Sequence, residues 1–141
     1  MKKLFPIAMV AAFGILSFAS CKKSSTSSGP AANTMTATIA GSSYTSSSIL
    51  SSALDSNGSL FLVGLDANFK GIEIIGAYSN TTGNISGMTG VYLENTTTQH
   101  AASNVTLNVS SYSTHNIQGT FSFTTTDNIA ITNGNFNLTI K

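Results

Sequence analysis

The chain contains one cysteine, Cys21, and two histidines, His100 and His115, so few side chains could act as nucleophiles, bases or soft metal ligands. Cys21 lies in "LSFASCKKSSTSSG", between an apolar segment and a Ser-rich one. A metal site needs several ligands at set spacings, and a nucleophilic thiol needs a structured, electropositive pocket. Neither histidine is near Cys21 in the sequence. We therefore predict that Cys21 is neither a metal ligand nor a catalytic thiol.

Hydroxyl groups offer a second route to catalysis. His115 and Asp127 could supply the base and the orienting acid of a Ser-His-Asp triad, but no motif marks a nucleophile. The segment "GNISG" (83–87) places its serine one position too late for the G-x-S-x-G elbow. We predict that the protein is not an enzyme and has no catalytic residue, cofactor or metal. Both histidines are interpreted as solvated loop residues.

A glycosidase would need two of the five carboxyl groups, which belong to Asp55, Asp66, Glu73, Glu94 and Asp127. Asp55, Asp66 and Asp127 fall at predicted turns, where an Asp side chain bonds its own backbone. Glu73 is opposite in phase to its apolar neighbours and is predicted to face solvent. "DSNG" begins like a calcium loop, but its Gly comes at position four rather than six, so we predict a tight turn.

The composition argues against a nucleic-acid partner. Only 8% of the 141 residues are charged, and Arg is absent. From residue 22 onward, four Lys stand against five Asp and Glu, so this part is almost neutral. Binding to nucleic acid needs clustered Lys and Arg to displace counterions. Because charged residues are few, the polar residues that keep the chain soluble are mainly Ser, Thr and Asn. These residue types favour strands and turns.

The N-terminus has the pattern of a secretory signal: a positive start, "MKK", an uncharged run (4–20), and small residues before Cys21. Ala19, Ser20 and Cys21 resemble a bacterial lipobox, with Phe18 in place of the usual Leu. The resemblance implies cleavage between Ser20 and Cys21, diacylglycerol on the Cys21 sulfur and acylation of the new amino group. The alternatives are an ordinary cleaved signal or an uncleaved anchor, for which the run barely reaches the roughly 20 residues that a bilayer requires.

Three parts follow from these patterns: a lipoprotein signal peptide (1–20), a lipidated cysteine with a flexible Ser-rich tether (21–33), and one β domain (34–141). Twelve residues of tether composition give an end-to-end distance of about 20 Å. This length predicts a domain that floats near the membrane rather than packing on it. The expected location is the cell envelope, at the outer membrane, with both the periplasmic face and the cell surface left open.

From residue 34 onward the apolar spacing is two, which indicates strands. The predicted strands lie in "TMTATIAG", "SLFLVGL", "KGIEIIGAY", "MTGVYLEN", "NVTLNVSSY", "NIQGTFSFT" and "DNIAITNGNFNLTIK", with a weaker one at 48–54. "SLFLVGL" is apolar on both faces, which is typical of a strand covered on each side. The turn-like segments between strands are "DSNGS", "DANFK", "NTTGN", "STHN" and "TTDN", of which "DSNGS" carries the strongest hairpin signal, Asn-Gly. We predict an all-β fold, a single antiparallel β-sandwich or small β-barrel of about eight strands.

The last of these segments changes phase, because Ile129 and Ile131 are odd-numbered whereas Phe136, Leu138 and Ile140 are even-numbered. Asn133 and Gly134 lie at the change. They could form a hairpin turn, which would leave a short edge strand, or a bulge within one long strand; we favour the bulge. With few charges to guard them, strand edges must be hidden by closure or pair with a partner, and strand-mediated oligomerisation is a hypothesis.

Three stretches are distinctive: "MTATIAG" followed by Tyr44, "VTLNVSSYSTHNIQGTFSFT" and "ITNGNFNLTIK", with the most specific positions at 119–124 and 131–136. They resemble a family of small Bacteroidota lipoproteins of unknown function. The resemblance implies export, lipidation and a β-rich domain. It implies no activity and supplies no catalytic residues.

These predictions favour a non-enzymatic, membrane-anchored envelope lipoprotein that serves as an interaction or surface module. Its first partner would be the membrane, through the lipid anchor, and an envelope protein or a glycan is a further candidate. The alternative is a β-barrel that binds an apolar molecule or a glycan in a cavity among Phe61, Ile74, Tyr92 and Phe121. The same four side chains would more simply form the core.

Overall fold

The computed structural model describes residues 30–141, which contain nine β-strands. The strands are β1 (Thr34–Ile39), β2 (Ser42–Thr45), β3 (Ser51–Ser56), β4 (Ser59–Leu65), β5 (Gly71–Ala77), β6 (Gly83–Leu93), β7 (Gln99–Tyr112), β8 (Asn116–Thr124) and β9 (Ala130–Thr139). They form one sheet in the order β2-β1-β9-β8-β7-β6-β5-β4-β3, and all neighbours are antiparallel. The all-β prediction is confirmed, and the architecture is one curled, half-barrel sheet.

The inner surface of the curled sheet carries the hydrophobic core. In β4, for example, Leu60 and Leu62 are fully buried, whereas Phe61 between them points outward. The largest fully buried side chains are those of Phe136, Met35, Leu60, Leu62, Ile72, Ile74, Met88, Leu107, Ile117, Ile131, Leu138 and Val109. They come from β1 and β4 to β9 and join one cluster, so the strands share a single core.

Strands β8 and β9 hold two reciprocal pairs of glycine and phenylalanine. Gly119 lies directly opposite Phe136, and Gly134 lies opposite Phe121. A Cβ atom on Gly119 would lie 2.7 Å from the Phe136 ring, and one on Gly134 would lie 2.7 Å from the Phe121 ring. Each ring therefore packs over the glycine of the neighbouring strand. This packing gives a physical reason why "GTF" and "NGNF" occur in the same chain.

Asn133 forms a bulge inside β9. Its φ is 51°, and the register of β9 shifts near this residue against both β1 and β8. Because the bulge adds one residue, Ile131 and Phe136 both face the core although one is odd-numbered and the other even-numbered. The favoured prediction of a bulge is confirmed, and the hairpin alternative is wrong because β9 runs without interruption through this position.

The two halves of the sheet meet where β3 approaches the end of β9. Ala53 forms a parallel bridge with Ile140, and the Lys141 N–H donates to the Ala53 carbonyl at 3.0 Å. Beside this contact the Ser51 hydroxyl, which is buried, donates to the hydroxyl of buried Ser46 at 2.6 Å. The contact between β3 and the end of β9 covers part of the edge of β3. Closure of the sheet was one of the two ways expected to protect a strand edge that has few charged residues; pairing with a partner was the other.

Tyr44, the aromatic residue of the family resemblance, links β2 to the far end of the sheet. It is 6% exposed, and its hydroxyl donates to the Gly64 carbonyl at 2.6 Å and approaches the Lys70 carbonyl at 3.3 Å. Burial is the main cause that raises the pKa of this hydroxyl, so it stays protonated and remains a donor. Tyr44 thus ties the shortest strand to the end of β4.

The turn between β3 and β4 is the predicted Asn-Gly turn. Asn57 and Gly58 have φ of 52° and 74°, which a type I′ hairpin turn requires. The predicted "DANFK", "STHN" and "TTDN" turns also connect strands, as does "NTTGN", which lies between β5 and β6 and overlaps the start of β6. Strands β6 and β7 begin earlier than predicted, at Gly83 and Gln99, because backbone pairing continues beyond the apolar residues that marked them.

Candidate functional site

Ser20 and Cys21, predicted for signal cleavage and lipidation, lie outside the described residues 30–141. Residues 30–33, at the end of the predicted tether, are described, and Asn33 bonds two parts of the β domain. Its side-chain amide donates to the Ser48 carbonyl, and its side-chain oxygen accepts from the Thr139 N–H at 3.1 Å. The chain therefore enters the domain between the loop at 46–50 and the end of β9.

The most pronounced group of ionisable side chains centres on His100, near the start of β7. Its Nδ1 lies 2.5 Å from an oxygen of Asp127, and its Nε2 lies 3.4 Å from an oxygen of Glu94. The His100 side chain is 14% exposed, whereas those of Glu94 and Asp127 are 57% and 51% exposed. The imidazole is thus held between two carboxylates at the domain surface; we call these three residues the His100 clasp.

Two connections between strands position the clasp. In the β6–β7 hairpin, Tyr92 lies opposite His100, and their rings stack with centroids 5.4 Å apart. Glu94 follows the end of β6 in the same hairpin. Asp127 comes from the β8–β9 turn, where the Thr125 hydroxyl donates to its other oxygen at 2.6 Å. The clasp therefore connects the β6–β7 hairpin to the β8–β9 turn, which comes later in the sequence.

The contacts within the clasp shift both partners towards their charged forms. The hydrogen bond with Asp127 is the main cause that raises the pKa of His100, and Glu94 adds to the effect. The hydrogen bond from Thr125, followed by that from His100, lowers the pKa of Asp127. Partial desolvation opposes both shifts. The two carboxylates therefore favour the imidazolium over the neutral imidazole, compared with a histidine free in solution.

We expect the free energy of unfolding to fall as the pH rises from about 6 to about 8. Because the folded state raises the pKa of His100, its stabilisation is fully present below the ordinary value of 6.5 and is lost as the pH rises through the folded-state pKa. Asp127, with its lowered pKa, loses its contribution only in acid, outside this window. In His100→Gln the urea midpoints at the two pH values should lie closer together than in the wild type.

The matched control is His115→Gln, at an exposed histidine in the β7–β8 turn. This variant should keep the wild-type difference between the two midpoints. A His100→Gln chain whose midpoint still falls as far as that of the wild type would contradict a stabilising clasp.

The structure does not bring His115 and Asp127 together. His115 is in the β7–β8 turn, where its Nδ1 lies 2.9 Å from the Thr114 hydroxyl, whereas Asp127 bonds His100. The pairing considered from the sequence is therefore wrong. The placement of His100 in a loop is also wrong, because the residue belongs to β7. Both of its ring nitrogens face carboxylates, which suits an ion pair better than a general base.

The remaining carboxylates serve the fold in different ways. Asp66 caps its turn as predicted, since it accepts hydrogen bonds of 2.8 and 3.1 Å from two backbone N–H groups of that turn. Asp55 does not cap a turn; it lies in β3 and accepts from the Tyr112 hydroxyl at 2.5 Å, so its prediction is wrong. This bond is the main cause that raises the pKa of Tyr112 to about 12. Glu73 lies on the outer surface of β5, as predicted.

The four residues expected to line a ligand cavity do not share one. Ile74, Tyr92 and Phe121 belong to the core and are 0%, 5% and 3% exposed, whereas Phe61 points outward from β4. A hollow of about 360 Å³ beside Tyr78 opens broadly to solvent. Ile74, Tyr92 and Phe121 therefore belong to the hydrophobic core, which is the simpler of the two placements predicted from the sequence.

Within residues 30–141, no group of three or more His, Cys, Asp or Glu side chains is arranged to hold a metal ion. The same part of the chain has no helix of the length and apolar character that a membrane span needs. No protein-family model, no curated protein and no solved structure matches the chain.

Proposed function

We propose that this protein is a non-enzymatic lipoprotein of the bacterial cell envelope, anchored by acyl chains on Cys21 and presenting its β domain as an interaction or surface module. The observation that carries the proposal is the N-terminal pattern, in which a positive start, an uncharged run and Ala19-Ser20 precede Cys21 and a Ser-rich tether. One acyl chain binds a membrane marginally, whereas two or three anchor a protein stably.

The way the β domain uses its ionisable groups supports a non-enzymatic role. His100, Glu94 and Asp127 bond one another across two connections, Asp66 caps a turn, and Asp55 bonds a tyrosine hydroxyl. Each of these contacts serves the fold without a substrate. A module of this kind would act through its outer surface, since its inner surface is occupied by its own side chains.

The outer membrane is the proposed location. The resemblance of "GTFSFT" and "ITNGNF" to small Bacteroidota lipoproteins supports it. After Cys21, "KKSSTSS" has no acidic cluster of the kind that resembles a surface-export signal in this group, so both the periplasmic face and the cell surface are compatible with the sequence. The partner would be an envelope protein or a glycan.

Replacing the anchor residue should remove the lipid. In Cys21→Ala we expect no incorporation of labelled palmitate and loss of the chain from the membrane fraction, because no thiol accepts diacylglycerol. Ser20→Ala, which keeps a small residue before the cleavage point, is the matched control and should be labelled and retained like the wild type. A Cys21→Ala chain that still carries label, or that stays with the membranes unchanged, would contradict the lipid anchor.

A further inference from the structure

Strand β4 is apolar on both faces, but its inner residues Leu60 and Leu62 are fully buried, whereas its outer residues Phe61 and Val63 are only partly buried. Four large apolar side chains within residues 30–141 are nearly half exposed or more: Ile49 (85%), Phe69 (50%), Leu54 (48%) and Ile75 (47%). All of them lie between the loop that precedes β3 and the end of β5. The cover expected on the outer side of β4 is therefore incomplete among the described residues, and the apolar side chains beside it are exposed.

Three of the outward side chains form a row across three strands. Leu54 pairs with Phe61, and Phe61 pairs with Ile75. Ile49 and Phe69 are on adjacent loops, because the Ser47 N–H of the first loop donates at 2.7 Å to the carbonyl of the last residue of β4, directly before the turn that carries Phe69. We call Ile49, Leu54, Phe61, Phe69 and Ile75 the apolar face.

A polar row crosses the outer surface of the sheet where β7, β8, β9 and β1 lie side by side. Thr120 of β8 pairs with Asn108 of β7 on one side and with Asn135 of β9 on the other, and Asn135 pairs with Thr36 of β1. This row is polar throughout, so solvent is its natural environment. Exposed apolar residues scattered singly need no explanation, but a group confined to one side marks a contact surface.

The backbone conformation of Phe69 is a further difference between the apolar face and the polar row around Thr120. Its φ is 59°, a left-handed conformation that is unfavourable for a bulky side chain. The fold nevertheless presents an aromatic ring at this turn, half exposed to solvent. Backbone strain of this kind clusters at sites that make functional contacts, which agrees with a role for the Phe69 ring in a contact.

The tether reaches the domain beside the apolar face. Asn33 donates to the carbonyl of Ser48, the residue before Ile49. Nine peptide units separate Cys21 from Pro30, the first described residue, and a chain of that length spans at most about 30 Å. A lipid on Cys21 would therefore hold this side of the domain close to the bilayer, at an effective concentration in the millimolar range.

We infer that the apolar face rests against the lipid bilayer in which Cys21 is anchored, with its side chains at the boundary between headgroups and acyl chains. This inference rests on the proposed function, since the lipid supplies the proximity. The tether length alone predicts a floating domain; the apolar side chains at the tether junction favour contact. The polar row around Thr120 then faces away from the membrane and is the surface left for a partner.

The chain contains no tryptophan, so a single introduced one reports its own surroundings. The test uses lipidated Phe69→Trp and Phe61→Trp, and Thr120→Trp as the matched control on the polar outer surface. Each is reconstituted into phosphatidylcholine vesicles whose acyl chains carry bromine, a quencher of tryptophan emission. We expect at least about threefold more quenching for the two tryptophans of the apolar face than for the control, because only they reach the acyl boundary.

Sedimentation of the same vesicles distinguishes a failure of the lipid anchor on Cys21 from a failure of the contact between the apolar face and the bilayer. A chain that sediments with the vesicles but shows equal quenching at all three positions overturns the contact and leaves the anchor intact. A chain that fails to sediment contradicts the anchor and the contact together. Unquenched, blue-shifted emission at Phe61→Trp that disappears on dilution with lipid would mean that a second copy covers the apolar face, which also overturns the membrane contact.

Discussion

Replacing Gly119 by alanine is expected to lower the free energy of unfolding by about 3 kcal/mol or more, at the upper end of overpacking effects. The new Cβ would lie 2.0 Å from the Asn108 carbonyl oxygen and 2.7 Å from the Phe136 ring. That oxygen belongs to the backbone of β7, which pairs with β8 along this stretch, so it cannot withdraw without breaking the pairing. For a urea m-value of about 2 kcal/mol/M, the unfolding midpoint should fall by about 1.5 M.

Gly87→Ala is the matched control for this change. A Cβ atom there would meet nothing within 4 Å, but the φ of Gly87 is +76°, so alanine would be strained by its backbone conformation alone. We expect a loss of about 1 kcal/mol. If Gly119→Ala proves no more destabilising than Gly87→Ala, then β7 and the Phe136 ring do not approach Gly119 as closely as the structure places them.

The sequence predicted the fold class well because one face of each strand is buried. Period-two alternation marks such strands directly, and the change of phase at Asn133 could be interpreted as a bulge since Phe136 and Leu138 must stay inside. The short strand β2 was not predicted separately, because of its four residues only Tyr44 is buried. Alternation requires at least two inward side chains, so a strand with one leaves no pattern.

The His100 clasp was missed for a different reason. The stacking of Tyr92 on His100 could have been found, since a hairpin centred on Thr96 places these two residues opposite each other. The turn itself carried a weak signal, although the Asn95 side chain caps it by accepting from the Thr97 N–H at 2.9 Å. The contact with Asp127 could not be found locally, because it joins the β6–β7 hairpin to the turn after β8 and depends on how the whole sheet curls.

The apolar face shows where a correct observation led to an expectation met only in part. "SLFLVGL" is indeed apolar on both sides, and such a strand normally has a second layer over it. Here the described residues cover the outer side only in part: Phe61 is partly buried and pairs with Leu54 and Ile75, which are about half exposed. A sequence pattern can indicate that a surface is covered, but it does not say whether the cover belongs to the same chain.

Replacing Phe136 by alanine is expected to lower the free energy of unfolding by about 3 to 5 kcal/mol. The side chain is 1% exposed, lies over Gly119, and has its ring centroid 6.4 Å from that of Phe121. Its removal leaves a void between two glycines, Gly119 and Gly134, which have no side chains to fill it. The urea midpoint of the chain, followed by circular dichroism, measures the loss.

The matched control is Phe69→Ala, which removes the same group from a half-exposed position with little packing around it. We expect a change within about 0.5 kcal/mol. A large loss at Phe69 would show that its ring supports the fold, and its exposure could then no longer be attributed to a membrane contact. Comparing the stability losses of Phe136→Ala and Phe69→Ala thus distinguishes a side chain that stabilises the fold from one that is exposed at the surface.

Combining Phe136→Ala with Gly119→Ala tests which neighbour limits the close approach. Removal of the ring relieves the 2.7 Å contact, but the 2.0 Å contact with the Asn108 carbonyl stays. The double variant should therefore be no more stable than Gly119→Ala alone. Recovery in the double variant would instead identify the Phe136 ring as the obstacle, and Gly119 would then be required by the aromatic packing of β8 on β9 rather than by the backbone spacing of β7 and β8.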